Sequence, residues 1–223
     1  MYSGTRLLRA KSVRTRRKAA HHTPSLVIGL TGSVAMGKST VAAFFRHLGI
    51  PVFDADQVVH LLLGPKGKAL KAVAARFPGT VSTKGADRKA IGAKVFANPA
   101  ALKDLEAIIH PLVREDRERF LQRAGLARHP IVVLDIPLLF EGQTHAICDL
   151  VIVVSAPSFL QRQRALARPG MTAARLESIL SRQWSDQKKR AAADVVIPSG
   201  LGKRETLRRL KQTLKLVKAR RRT

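Results

Sequence analysis

Apolar residues fall in short, nearly unbroken runs, separated by stretches in which they recur every three or four positions. LVIGLT (Leu26–Thr31) is apolar on both faces, the habit of a strand in a parallel sheet covered by helices. Lys38 to His47 carries apolar residues at helical spacing, and Gly49 ends that helix. PVFDAD (Pro51–Asp56) predicts a second strand, PIVVLDIP (Pro130–Pro137) a third, DLVIVVS (Asp149–Ser155) a fourth and ADVVI (Ala193–Ile197) a short fifth. Residues 57–128 predict a longer, mainly helical region. Within it Gly79–Asp87 reads as a loop, with Asp87 capping the helix that follows, and Asn98-Pro99 as a second helix start. Thr172 caps a predicted helix running to about Ala191, and a last basic helix spans Glu205 to Ala219. Strand and helix in alternation predict an α/β fold with an open, doubly wound, mainly parallel five-stranded sheet. The helical region is then an insertion over the sheet's carboxyl edge.

Length and charge narrow this further. A chain of 223 residues suits one well-buried domain with an insertion. Its formal charge of +26 sits largely at the ends: residues 1–24 hold seven Lys/Arg and no acid, and residues 201–223 hold ten Lys/Arg against one Glu. This reads as basic tails flanking a core whose substrates are themselves polyanions. Nucleic-acid binding stays open as the alternative, although aromatic residues are only 4% and no RNA-stacking motif occurs. Cys148 is the single cysteine, which excludes an intrachain disulfide and a thiolate zinc cluster. Its place before an apolar strand predicts a buried, inert thiol. No apolar run approaches a membrane span, and residues 1–24 lack the apolar centre of a secretory signal. Those residues are expected to be a disordered leader, or the product of translation begun upstream of the true start. A cytoplasmic location is the expectation.

The chemistry begins at GLTGSVAMGKSTV (Gly29–Val41). Gly32-x-x-x-x-Gly37-Lys38-Ser39 is a phosphate-cradling loop, and a buried strand before it with an amphipathic helix after it is the context the motif requires. The two glycines let successive N–H groups point inward at phosphate oxygens; Lys38 neutralises the β- and γ-phosphates; the Ser39 hydroxyl is a Mg²⁺ ligand. No guanine-reading Asn-Lys-x-Asp occurs, which argues against a regulatory GTPase. Asp54 and Asp56 are expected at the end of the second strand, where a carboxylate can accept the proton of an acceptor hydroxyl. Asp135 ends IVVLD, where a carboxylate is expected to hold Mg²⁺ directly or through water. Arg162, Arg164 and Arg168 are expected on one helix, the latter two four apart on one face, before the hinge-like Pro169-Gly170. Such a pair could swing over a transferring phosphate.

GLTGSVAMGKSTVAAFFRHLGIPVFDAD, LEAIIHPLV, VVLDIPLLFE, QRQRALARPGMT and ADVVI together resemble dephospho-CoA kinase over about residues 25–216. The resemblance implies ATP-dependent phosphorylation of the ribose 3′-hydroxyl of dephospho-coenzyme A, with Mg²⁺, by a P-loop kinase with a helical acceptor-binding insertion (57–128) and a lid (about 162–185), ahead of a basic tail (217–223). It implies nucleotide binding by Gly32, Ala35, Met36, Gly37, Lys38, Ser39 and Thr40, and catalysis by Asp56 as base with Lys38, Arg164 and Arg168. It places His110 and Pro111 in the acceptor region, although helix packing is an equal reading of His110, and metal at Ser39 and Asp135. Asp194–Gly200 matches the segment beside adenine. The partners implied are ATP and dephospho-coenzyme A, with no specific nucleic acid and no membrane, for a monomer or weak homo-oligomer. A nucleoside monophosphate kinase is the alternative within the fold, and a nucleic-acid-binding ATPase the alternative outside it. Two departures stand out: Ser33, Ala35 and Met36 replace a commoner Gly, Gly and Ser, and Ser199 stands where Asn is usual. The first implies a loop of altered stiffness rather than lost binding; the second bears on any side-chain contact to adenine and leaves the backbone contact expected there.

Overall fold

A computed structural model describes residues 26–96 and 98–219; the expected leader 1–24 and the end of the tail lie outside them. Asp54–Arg123 forms one compact unit and the other described residues a second.

The larger unit is built on strands β1 (Val27–Thr31), β2 (Val52–Asp54), β5 (Val132–Asp135), β6 (Leu150–Ser155) and β7 (Val195–Pro198), in the order β2-β5-β1-β6-β7. β1 pairs in parallel with β5 on one side and β6 on the other, and β6 pairs in parallel with β7. The phosphate loop therefore leaves the central strand, where successive connections diverge to opposite sides, the usual ligand crevice of such sheets. Period-two alternation sends Leu26, Ile28, Leu30, Ile131, Val133, Ile152, Val154, Val195 and Ile197 to one face. There they bury Val41, Ala42 and Phe45 of α1 (Lys38–His47) and Leu210, Leu214 and Val217 of α9 (Lys203–Ala219). Phe45 is wholly buried, a contribution of about 1.5–3 kcal/mol for a side chain of this size. Cys148 is buried just before β6, as its position predicts.

The smaller unit carries α2 (Ala55–Leu62), α3 (Leu70–Arg76), a two-strand hairpin of β3 (Val81–Ser82) and β4 (Gly85–Ala86), α4 (Arg88–Phe96) and most of α5 (Pro99–Leu126). Its own core gathers Leu62, Leu63, Val73, Phe77, Ile91 and Ile109. Two sequence-level caps are present: Asp87 Oδ1 accepts from the amides of Lys89 and Ala90 at 2.9 and 3.1 Å, and Asn98 Oδ1 from that of Ala101 at 3.0 Å.

Four local expectations are corrected. The second strand stops at Asp54, because Asp54 Oδ1 accepts from Gln57 N at 3.1 Å and caps α2; Asp56 thus belongs to a helical first turn. The loop 79–87 contains the β3–β4 hairpin. The helix expected from Thr172 to Ala191 is two, α7 (Ala173–Ser181) and α8 (Asp186–Ala192), since Ser185 caps anew on Lys188 N at 3.2 Å. Finally, α6 (Ser158–Leu166) ends before Arg168, so Arg164 and Arg168 do not share one helix face.

Candidate active site

β1 delivers the chain into Gly32, where an added Cβ would stand 2.6 Å from the Val154 carbonyl oxygen; only glycine lets the loop pass β6 this closely. Gly37, at φ +88°, starts α1 in a left-handed conformation and brings no side chain to cap it. The first-turn amides of α1, with the positive end of its dipole, are thus offered to an anion.

Between these glycines the loop is fastened from outside. Val34 N donates to Gln183 Oε1 at 3.1 Å, and Val34 O accepts from Gln161 Nε2 at 2.9 Å. Buried Met36 presents its sulfur to the amide of Ala156, and its carbonyl accepts from Ser199 Oγ at 2.6 Å. Ala35 adopts φ 60°, a region that costs a residue with a Cβ about 1–2 kcal/mol. Its methyl packs against Ala165 and Leu176 of α6 and α7, burial a glycine would forgo. The loop is thus pinned to the α6–α7 region.

Lys38 Nζ lies 2.7 Å from Asp135 Oδ1, and the two side chains are only 14% and 3% exposed. They come together because β1 and β5 are neighbours in register, Leu30 opposite Asp135. The carbonyl of Pro137 accepts from Thr31 Oγ1 at 2.9 Å and from Lys189 Nζ at 3.2 Å, holding the segment just after Asp135. Lys189 is fully buried and paired with Glu141 Oε1 at 3.1 Å; that oxygen also accepts from Trp184 N at 2.7 Å.

The arginines divide. Arg164 directs Nη1 to Ser199 Oγ at 3.2 Å and Nη2 to the Ser199 carbonyl at 3.0 Å. Arg162 pairs with Glu177 at 3.1 Å in an exposed contact. Arg168 is exposed, in the turn before Pro169-Gly170. In the smaller unit Asp56 is exposed in the first turn of α2, and His110 and Pro111 are exposed on α5. Exposure removes the packing reading of His110.

A kinase loop does not by itself reveal its acceptor. The sequence model of the dephospho-CoA kinase family matches residues 26–202. The chain belongs to that family. It is 54% identical over 195 residues to a dephospho-CoA kinase of Rhodospirillum rubrum, covering 87% of this chain and 92% of that one. It is 58% identical over 164 residues to that of Paramagnetospirillum magneticum, 74% and 77% covered. The crystal structure of TT1252 from Thermus thermophilus superposes with TM-score 0.76 at 34% identity, covering 88% of this chain and 98% of that one. A dephospho-CoA kinase from Campylobacter jejuni, TM-score 0.58 at 24% identity over 86% and 96% of the two chains, shares the fold.

For a dephospho-CoA kinase the donors here fit Mg²⁺. Exposed Ser39 opens α1 beside Lys38, and the Asp135 carboxylate is a hard oxygen ligand; among the described residues no cluster of three or more His, Cys, Asp or Glu could cage a metal. One carboxylate and one hydroxyl, completed by waters and substrate phosphates, is how Mg²⁺ is commonly held. Sequence reading missed the fasteners Gln161, Gln183, Lys189 and Glu141. A glutamine or lysine inside an apolar-periodic helix carries no signal of what it reaches. A fully buried Lys189 is visible only once its partners are.

Proposed function

We propose that this chain transfers the γ-phosphoryl of ATP to the ribose 3′-hydroxyl of dephospho-coenzyme A, giving coenzyme A and ADP, the last step in making that cofactor. The observation that carries the reading is a phosphate loop paired through Lys38 to Asp135 in a chain 54% identical over 195 residues to a dephospho-CoA kinase. The acceptor oxygen bonds to the γ-phosphorus as the bond to the ADP oxygen breaks, and the hydroxyl proton passes to the Asp56 carboxylate. Lys38 leaves Asp135 for the phosphate oxygens, and the amides between Gly32 and Thr40 follow the β- and γ-phosphates. Ser39 and Asp135 hold Mg²⁺, which neutralises charge on the phosphates when bound. Within the expected lid (about 162–185), the exposed turn at Arg168–Gly170 closes Arg168 over the transferring group. Arg164, Ala165, Leu176 and Gln183 meanwhile keep their contacts with the phosphate loop and Ser199. His110 and Pro111 contact the acceptor. No described helix is long and apolar enough to cross a membrane. On this reading the enzyme acts in the cytoplasm, as a monomer or weak homo-oligomer.

The test is ADP release by the full chain with ATP, Mg²⁺ and dephospho-coenzyme A, the product's phosphate located by ³¹P NMR. Expected is acceptor-dependent ADP and a 3′-phosphomonoester. Release no faster than without acceptor, or thermal stabilisation by nucleoside monophosphates but not by dephospho-coenzyme A, refutes the assignment.

A further inference from the structure

We infer that Ser199, oriented by Arg164, is a positioning residue that sets the direction of the Gly37 amide and so shapes the phosphate cradle itself. The inference rests on the loop's binding ATP, as proposed above. Ser199 follows β7 and is 8% exposed, with its own amide donating to Ser155 O at 2.9 Å. Its backbone is therefore fixed by the sheet. Its hydroxyl donates to Met36 O at 2.6 Å and accepts from Arg164 Nη1 at 3.2 Å. A hydroxyl has one hydrogen. Because Arg164 brings a donor, that hydrogen is directed to Met36.

The consequence follows from peptide planarity. The carbonyl of Met36 and the N–H of Gly37 belong to one trans peptide and point in opposite directions. Holding the carbonyl outward on Ser199 turns the Gly37 N–H the other way, into the loop. Gly37 needs that restraint, since a glycine at φ +88° pays no penalty for leaving this conformation. The contact is also close: a Cβ on Gly37 would lie 3.1 Å from Ser199 Oγ and 3.2 Å from Ser199 Cβ. Arg164 Nη2 closes the fork on the Ser199 carbonyl at 3.0 Å, so Arg164 acts on the loop through Ser199.

A residue shaping the cradle affects every ligand that carries the phosphates, whereas one reading adenine affects only ATP. The test is isothermal titration of the full chain with ATP and with inorganic tripolyphosphate, for the parent, Ser199→Ala and Ser199→Thr. Ser199→Ala is expected to weaken both ligands in parallel, by about five- to tenfold for one lost hydrogen bond. Ser199→Thr, which keeps the hydroxyl, is expected to restore most of that affinity. In an Arg164→Met background, Ser199→Ala should add little, because the two residues act in series. Weakening of ATP alone overturns the inference, as does an unchanged tripolyphosphate affinity or fully additive losses. Dephospho-coenzyme A turnover by the parent is measured alongside. Its absence, with tripolyphosphate binding intact, overturns the proposed reaction and leaves the cradle assignment standing.

Discussion

Replacing Asp135 by Asn isolates the Lys38–Asp135 pair, because the amide keeps the shape of the carboxyl and removes its charge. The 2.7 Å contact joins side chains that are 14% and 3% exposed. Stranding one partner of a fully buried pair costs about 3–5 kcal/mol. Lys38 keeps some access to water, so a hydrogen bond to a charged group, about 1.5–3 kcal/mol, is the better measure. For a protein of this length each kcal/mol moves Tm by roughly 2–4 °C. Asp135→Asn should therefore lower the Tm of the nucleotide-free protein by roughly 3–12 °C. ATP offers Lys38 a new set of anionic partners, so saturating ATP without metal should narrow the gap between variant and parent. The assay is differential scanning calorimetry with and without ATP in the presence of a chelator. Turnover with Mg²⁺ should fall by at least about 10²-fold if Asp135 is the metal ligand proposed above, since the metal would then lose an anionic ligand. A Tm within 1 °C of the parent in the nucleotide-free state refutes the argument that the pair is a desolvated ion pair contributing to the fold.

The remaining expectations concern base, lid and buried strut. Asp56→Asn should cut kcat by about 10²–10⁴ with ATP affinity within a few-fold, checked by steady-state kinetics beside nucleotide titration; kcat near the parent value would remove Asp56 as base. Arg168, exposed in the turn after α6, should matter only once both substrates are bound. Arg168→Ala is then expected to lower kcat far more than ATP affinity, and equal losses would make it a static contact. Lys189→Met leaves Glu141 facing a hydrocarbon where a fully buried ammonium stood 3.1 Å away, a loss of about 3–5 kcal/mol. The double variant Lys189→Met/Glu141→Gln should regain part of it in urea unfolding; a single variant as stable as the parent would show that the pair contributes nothing.

How much of this was written in the chain follows from the range of each interaction. Strand runs and helix periodicity act over neighbouring residues, so β1, α1, β6, and the caps Asp87, Asn98 and Thr172 stand where the pattern placed them. The phosphate loop was equally legible, because its spacing is a local signature and Gly37 answers to backbone geometry, although the reason for Gly32, its approach to the Val154 carbonyl, is tertiary. Boundaries failed where a polar side chain had two local choices. Asp54 and Ser185 cap new helices rather than continue a strand or helix. What tertiary structure alone decided is which distant groups meet. Strand order brings Lys38 to Asp135, 97 residues apart in the chain, and Met36 to Ser199, 163 apart. Local pattern carries no term for such pairings, because none of these residues, taken alone, says which distant group it will meet. Only the packed sheet gives Ser199 a carbonyl to hold and Lys189 a reason to be buried.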